Sequence, residues 1–193
     1  MRRLLLVLVA ALVVAAPFVG PPAPVVWASG IDLLPTEAEL TATLAPFTIS
    51  NYKSGPGKDG WDGNAEWDIA GSPEGQIHAS VDASELPTPE GAAGFLQTKL
   101  QQLRDDIRKL GFVGDIGPAT AELTMDADEA YWGVFMSAPG QSPQMVAAIH
   151  ISRYEEQVIA TSVMLLPSGV DTDNTAATLG VITGQMIRLM NSE

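Results

Sequence analysis

The sequence predicts an α+β domain, an antiparallel sheet with helices packed on it, and three observations carry that expectation. Two segments repeat apolar residues at helical spacing: Leu96, Leu100, Leu103, Ile107 and Leu110 in one, Leu179, Ile182, Met186 and Leu189 in the other. Several shorter segments alternate apolar and polar residues, as half-buried strands do. The two kinds come in blocks rather than as regular strand-helix repeats, which favours an antiparallel sheet over a parallel one.

Each element has its own local signal. Thr36 followed three residues later by Glu39 is a capping box, so a short helix opens there, with Leu40 and Leu44 on one face and Pro46 after it. Phe47–Tyr52 reads as a strand. Lys53–Gly63, punctuated by Gly55, Pro56, Gly57, Gly60 and Gly63, reads as a loop. Ala65, Trp67 and Ile69 alternate with acids, and Ile77, Ala79, Val81 and Ala83 alternate with polar residues, giving a hairpin. Thr88-Pro89-Glu90 supplies a cap, a proline at the first helical position and an early acid for the long helix. Arg104, Arg108 and Lys109 suit its C-terminal dipole, Lys99 is placed on its solvent face, and Gly111 suits its end. Ala119–Met125, Ala130–Ser137, Met145–Ser152 and Val158–Leu166 then read as strands, and Asp171-Thr172-Asp173-Asn174 as the cap of the closing helix.

This order of elements resembles the PsbP-like α-β-α sandwich and the PknH-type extracellular sensor domains of bacterial kinases with their secreted relatives. The pieces that carry the likeness are Leu110-Gly111-Phe112 to Ala119, the hairpin Val146 to Met164, and the closing helix from Thr175 to Met190. The resemblance implies the sandwich architecture over residues 36–193 and brings no set of functional residues with it.

The first residues differ in kind from the rest. Met1-Arg2-Arg3 is a basic start, and Leu4–Ala16 is an uncharged run of Leu, Val and Ala. A helix of about 13 residues spans roughly 20 Å, short of the roughly 30 Å of a bilayer core, so this reads as a signal-peptide core, with an uncleaved signal anchor as the alternative. Val26-Trp27-Ala28 before Ser29 is the expected cleavage site of a Sec-type signal. The organisation expected is therefore a signal peptide at 1–28, a linker at 29–35 and a single domain at 36–193, secreted or otherwise extracytoplasmic, with no stable membrane span after cleavage.

Charge and cysteine content narrow the chemistry. The chain has 10 Lys and Arg against 23 Asp and Glu, for a net charge of −13; without Arg2 and Arg3 it is near −15. That balance opposes nucleic-acid phosphates and anionic lipid alike. With no cysteine, disulfides, thiolate catalysis and thiolate metal sites are all excluded.

The candidate site residues fall in two groups. Trp61 stands among glycines in a polar stretch where it has little core to join, and Lys53 and Lys58 flank it, so these three are the expected contact residues. Asp59 and Asp62, with Asn64 and Glu66, offer oxygen ligands; an EF-hand register from Asp62 fails at Trp67 and Pro73. The chain has two histidines, His78 and His150, which could share a metal if their strands were neighbours. Gly55-Pro56-Gly57-Lys58-Asp59-Gly60 matches a dinucleotide string but is followed by strand rather than helix. No G-x-S-x-G elbow or Ser-x-x-Lys appears. The function expected is an exported, non-enzymatic binding or accessory module without a cofactor, working with an envelope protein; the alternative is a secreted metal-dependent or carboxylate-based hydrolase.

Overall fold

The computed structural model describes residues 30–71, 75–124, 126–140, 144–167 and 172–190, with backbone only at 166–167 and 172–177. The signal peptide and the capping roles of Asp171 and Asp173 lie outside what is described. Eight strands form one antiparallel sheet: β1 (Thr48–Pro56), β2 (Gly63–Ala70), β3 (Gly75–Glu85), β4 (Phe112–Val113), β5 (Gly117–Pro118), β6 (Glu129–Ser137), β7 (Val146–Tyr154) and β8 (Gln157–Pro167). Their order is β1-β2-β3-β8-β7-β6-β4, with β5 also paired to β6. The helices are α1 (Glu37–Thr43), α2 (Pro89–Lys109), a single turn α3 (Ala121–Thr124) and α4 (Thr172–Met190). Helices pack on both sides of the sheet, so the fold is the expected α-β-α sandwich.

Strand alternation divides the side chains between two cores. Ala65, Trp67, Ile69, Ile77, Ala79, Val81, Ile159, Val163, Leu165 and Ala148 point to one face, where α4 supplies Leu179, Ile182 and Met186, and α1 supplies Leu40 and Leu44. Ala147, Ile149, Ile151, Val158, Ala160 and Phe135 point to the other, under Ala92, Leu96, Leu100 and Ile107 of α2. β7 meets a helix on each side, so its residues Val146–Ser152 are all buried and show no alternation of exposure.

The local signals hold at the helix starts. Thr36 Oγ1 accepts from the Glu39 amide at 3.3 Å while Glu39 Oε2 accepts from the Thr36 amide at 2.7 Å, a complete capping box. Thr88 caps α2 through the Gly91 amide, and Gly111 follows at φ 78°, the left-handed residue the helix end requires. Within the stretch expected as a linker, Gly30–Leu33 forms a 3-10 turn against β2 and β3. A side chain on Gly30 would meet the Ala83 carbonyl at 2.5 Å, so that approach needs glycine.

Four expectations are corrected. Lys53–Pro56 is strand, not loop, pairing Lys53 with Glu66 and Pro56 with Gly63. β1 lies at the sheet edge, where a proline forfeits no ladder bond and glycine is tolerated, so the turn shrinks to 57–62. Ala119–Thr124 is not a strand: the edge of β6 is already taken by β4 and β5, and the Thr120 carbonyl collects the Leu123 and Thr124 amides in a helical turn. Leu110, placed on the apolar stripe of α2, is the C-cap residue beyond the last helical turn and is 66% exposed. Lys99 does not face solvent; it is 5% exposed.

Candidate functional site

Among the described residues, no helix lies over one part of the sheet. α2 lies on β7, β8 and β4 and leaves the same face of β2 and β3 beside it open. There Asn64, Glu66 and Asp68 of β2 stand next to His78, Ser80 and Asp82 of β3, paired Asn64 to Asp82, Glu66 to Ser80 and Asp68 to His78. Every residue on this patch is polar, while its strand neighbours on the other face, Ala65, Trp67, Val81 and Ala79, are fully buried. The wall of α2, the strand surface and the tip of the β1–β2 hairpin enclose a cleft of about 320 Å³. That volume falls in the range of small-ligand sites.

The hairpin tip is fastened to α2. Its turn closes with the Gly57 amide donating to the Asp62 carbonyl and the Trp61 amide to the Lys58 carbonyl, both at 3.0 Å. From α2, the Lys99 ammonium donates to the Asp59 carbonyl and lies 5.2 Å from the Trp61 ring centre and 5.1 Å from that of Phe95. Trp61 and Phe95 meet edge to face at 5.2 Å. A lysine can sit on a buried helix face because its stem is apolar and its charge is satisfied at the tip by the carbonyl and two rings.

The floor of the cleft is a network of carboxylates and amides. Asn64 Nδ2 donates to Asp82 Oδ1 at 2.9 Å. Burial pushes the Asp82 carboxyl above the usual range, against the opposing pull of the Asn64 hydrogen bond and the Lys99 charge. Nearby, Asp68 accepts from Asn51 Nδ2 at 2.7 Å and contacts His78 Nδ1 at 2.9 Å, and these two hydrogen bonds, the Asn51 one foremost, hold its carboxyl below the ordinary value.

Of the residues expected from sequence, Trp61, Lys58, Asp59 and His78 line this one cleft. Lys53 reaches its edge through Glu66 at 3.5 Å. Asp62 does not line it; its carboxylate instead accepts from the Glu85 amide at 3.2 Å and anchors the turn. His150 lies on the opposite face of the sheet, since its partner Thr161 registers with Val81, whereas the partner of His78 is Met164. It is buried with Nε2 2.9 Å from the Leu123 carbonyl, and burial pushes its pKa down to about 4. The two histidines therefore do not meet, and among the described residues no group of three or more His, Asp or Glu could hold a metal ion. Asp128 binds Arg153 and the Glu155 amide, so its carboxylate stitches a turn.

Sequence reasoning passed over Asn64 as a partner of Asp82, and missed Asp82, Ser80 and Gln102 of the cleft. The available signal was that two adjacent strands each carry three polar residues in succession on one face. No known protein family matches the sequence, and no curated protein matches it. Among solved structures, the chain is similar to the extracellular domain of PknH from Mycobacterium tuberculosis, at 9% identity and a TM-score of 0.48. The match covers 84% of this chain and 94% of that one, and is a likeness in the path of the chain alone.

Proposed function

We propose that this chain is an exported, non-enzymatic binding module that takes its ligand in the cleft beside α2. One observation carries the reading: on the face that α2 covers over β7 and β8, the β2–β3 half is left open among the described residues, polar and walled by a fastened aromatic tip. A patch that only needed to be wet would not require Asp82 to be half-buried or Lys99 to hold Trp61 in place. Export rests on the basic start and apolar run of residues 1–16. No described helix is long and apolar enough to cross a membrane. The metal site that the two histidines would share under the hydrolase alternative is not formed, because His78 and His150 lie on opposite faces of the sheet.

The test uses isotope-labelled protein of residues 29–193 mixed with an extract of the native envelope, read by NMR. The reading expects shifts concentrated on the Trp61 indole N–H and the side-chain amides of Asn64 and Gln102. Shifts confined to another surface, such as the exposed Leu110, Val113 and Met136, would move the binding site and end this reading.

A further inference from the structure

The cleft differs in charge from the chain that carries it. Four acids line it, Asp59, Glu66, Asp82 and Asp106, together with Lys58 and Lys99. Lys53 approaches Glu66 at 3.5 Å and Lys109 approaches Asp106 at 3.0 Å, so four acids stand with four cations in and around the cleft. Four of the eight cations that follow Arg3 are thus gathered at one place in a chain of net charge −13. A cationic ligand would meet Lys58 and Lys99 there, and an anionic one would meet Asp82 and Glu66. Neither sign of ligand finds a complementary field.

What the cleft does offer is closely spaced neutral and charged hydrogen-bonding groups. Asp82 receives Asn64 on Oδ1, and among the described residues no other hydrogen-bond donor reaches its carboxylate, so Oδ2 has acceptor capacity to spare. The carbonyl oxygen of Asn64 and the amide of Gln102 add an acceptor and a donor pair on neighbouring walls. Trp61 makes one wall apolar. Adjacent hydroxyls, each able to give and to take a proton, match a carboxylate beside an amide, and the C–H face of a sugar ring matches an aromatic wall. We infer that the cleft binds a neutral saccharide, its hydroxyls shared between Asp82 and Asn64 and its ring against Trp61.

This inference rests on the reading that the cleft is the binding surface, and the probes separate the two. Labelled protein is titrated with methyl β-glucoside, N-acetylglucosamine and maltose, then with N-acetyl-arginine amide and with inorganic phosphate. The expected result is saturable shifts at Trp61, Asn64 and Gln102 with at least one neutral sugar. Asp82→Asn should weaken that binding about tenfold or more, and the exposed Gln102→Ala about threefold, with both variants folded by their spectra. Saturable shifts at these residues with the arginine amide or phosphate, and none with any sugar, would overturn the saccharide and keep the cleft. No shift at these residues with any probe, while envelope extract perturbs another surface, would overturn both.

Discussion

The two halves of the sheet face beneath α2 are built from the same alternating pattern and put to different use. Over β6, β7 and β8 the inward positions are Phe135, Ile149, Ile151, Val158 and Ala160, and α2 buries them. Over β2 and β3 the equivalent positions are Asn64, Glu66, Asp68, His78, Ser80 and Asp82, and no described helix covers them. The first half contributes to stability through buried apolar area. The second contributes little of that kind, and holds instead a half-buried carboxylate whose charged form the fold disfavours. The lesson is that a helix laid off-centre on a sheet creates a core and a cleft from one surface, with its own flank as the wall between them.

The contrast breaks first at α2. Leu100 is 1% exposed and faces the covered half, so Leu100→Ala should cost about 2–5 kcal/mol in urea unfolding. Gln102, two residues on and facing the cleft, should cost no more than about 0.5 kcal/mol when changed to Ala. Leu103 is only half-buried at the border and should fall between them. Similar losses at Leu100 and Gln102 would mean that α2 does not divide the face as described.

The buried face has a second signature in its acid response. His150 is neutral in both states above its ordinary value of 6.5, and its folded pKa is pushed down to about 4. As pH falls between these values the unfolded chain takes up a proton that the folded chain refuses, so stability is lost, about 3 kcal/mol in all once pH is below the folded pKa. Urea midpoints measured from pH 7 down to 4 should show this slope in the wild type and a shallower one in His150→Gln. Parallel slopes would contradict the placement of His150.

A smaller effect is expected where the two halves are joined. Lys99→Met removes the donor to the Asp59 carbonyl and the cation over Trp61 and Phe95, at a cost of about 1–2 kcal/mol. Trp61→Ala should cost a similar amount. Because the residues share one contact, the double variant should lose less than the sum, and strict additivity would show that the latch does not couple them.

Which features were legible follows from how local their causes are. The capping box of Thr36 and Glu39 and the start of α2 at Thr88-Pro89 involve residues within a few positions of each other, and sequence was enough. The hairpin tip was misjudged because Gly55 and Pro56 mark a loop in isolation but are admissible in a strand that happens to be an edge. Lys99 was placed in solvent because its partners, Asp59 and Trp61, lie about forty residues away on a turn whose docking no periodicity reveals. Trp61 stood out as an aromatic among glycines, but the expectation that it has little core to join is corrected, because it packs edge to face on Phe95 against the core under α2. Asp82 did not stand out, since an acid on an alternating strand is ordinary until a helix flank half-buries it. The expected strand Ala119–Met125 failed for want of length: so few residues of weak alternation cannot distinguish a strand from a helical turn.

The central claim is that the open half of the sheet is kept for binding, at some expense to stability, and Asp82 tests it most directly. Its folded pKa is raised, so the folded state holds a proton more readily than the unfolded one above the ordinary value of 3.8. Stability therefore falls as pH climbs through the folded pKa, and the burial cost is fully present above it. Asp82→Asn keeps an oxygen to accept from Asn64 and removes the charge. Urea unfolding at pH 7 should find this variant as stable as the wild type or more so, with the difference vanishing below pH 3.8. A loss of more than about 1 kcal/mol at pH 7 would make Asp82 a structural carboxylate and contradict the account.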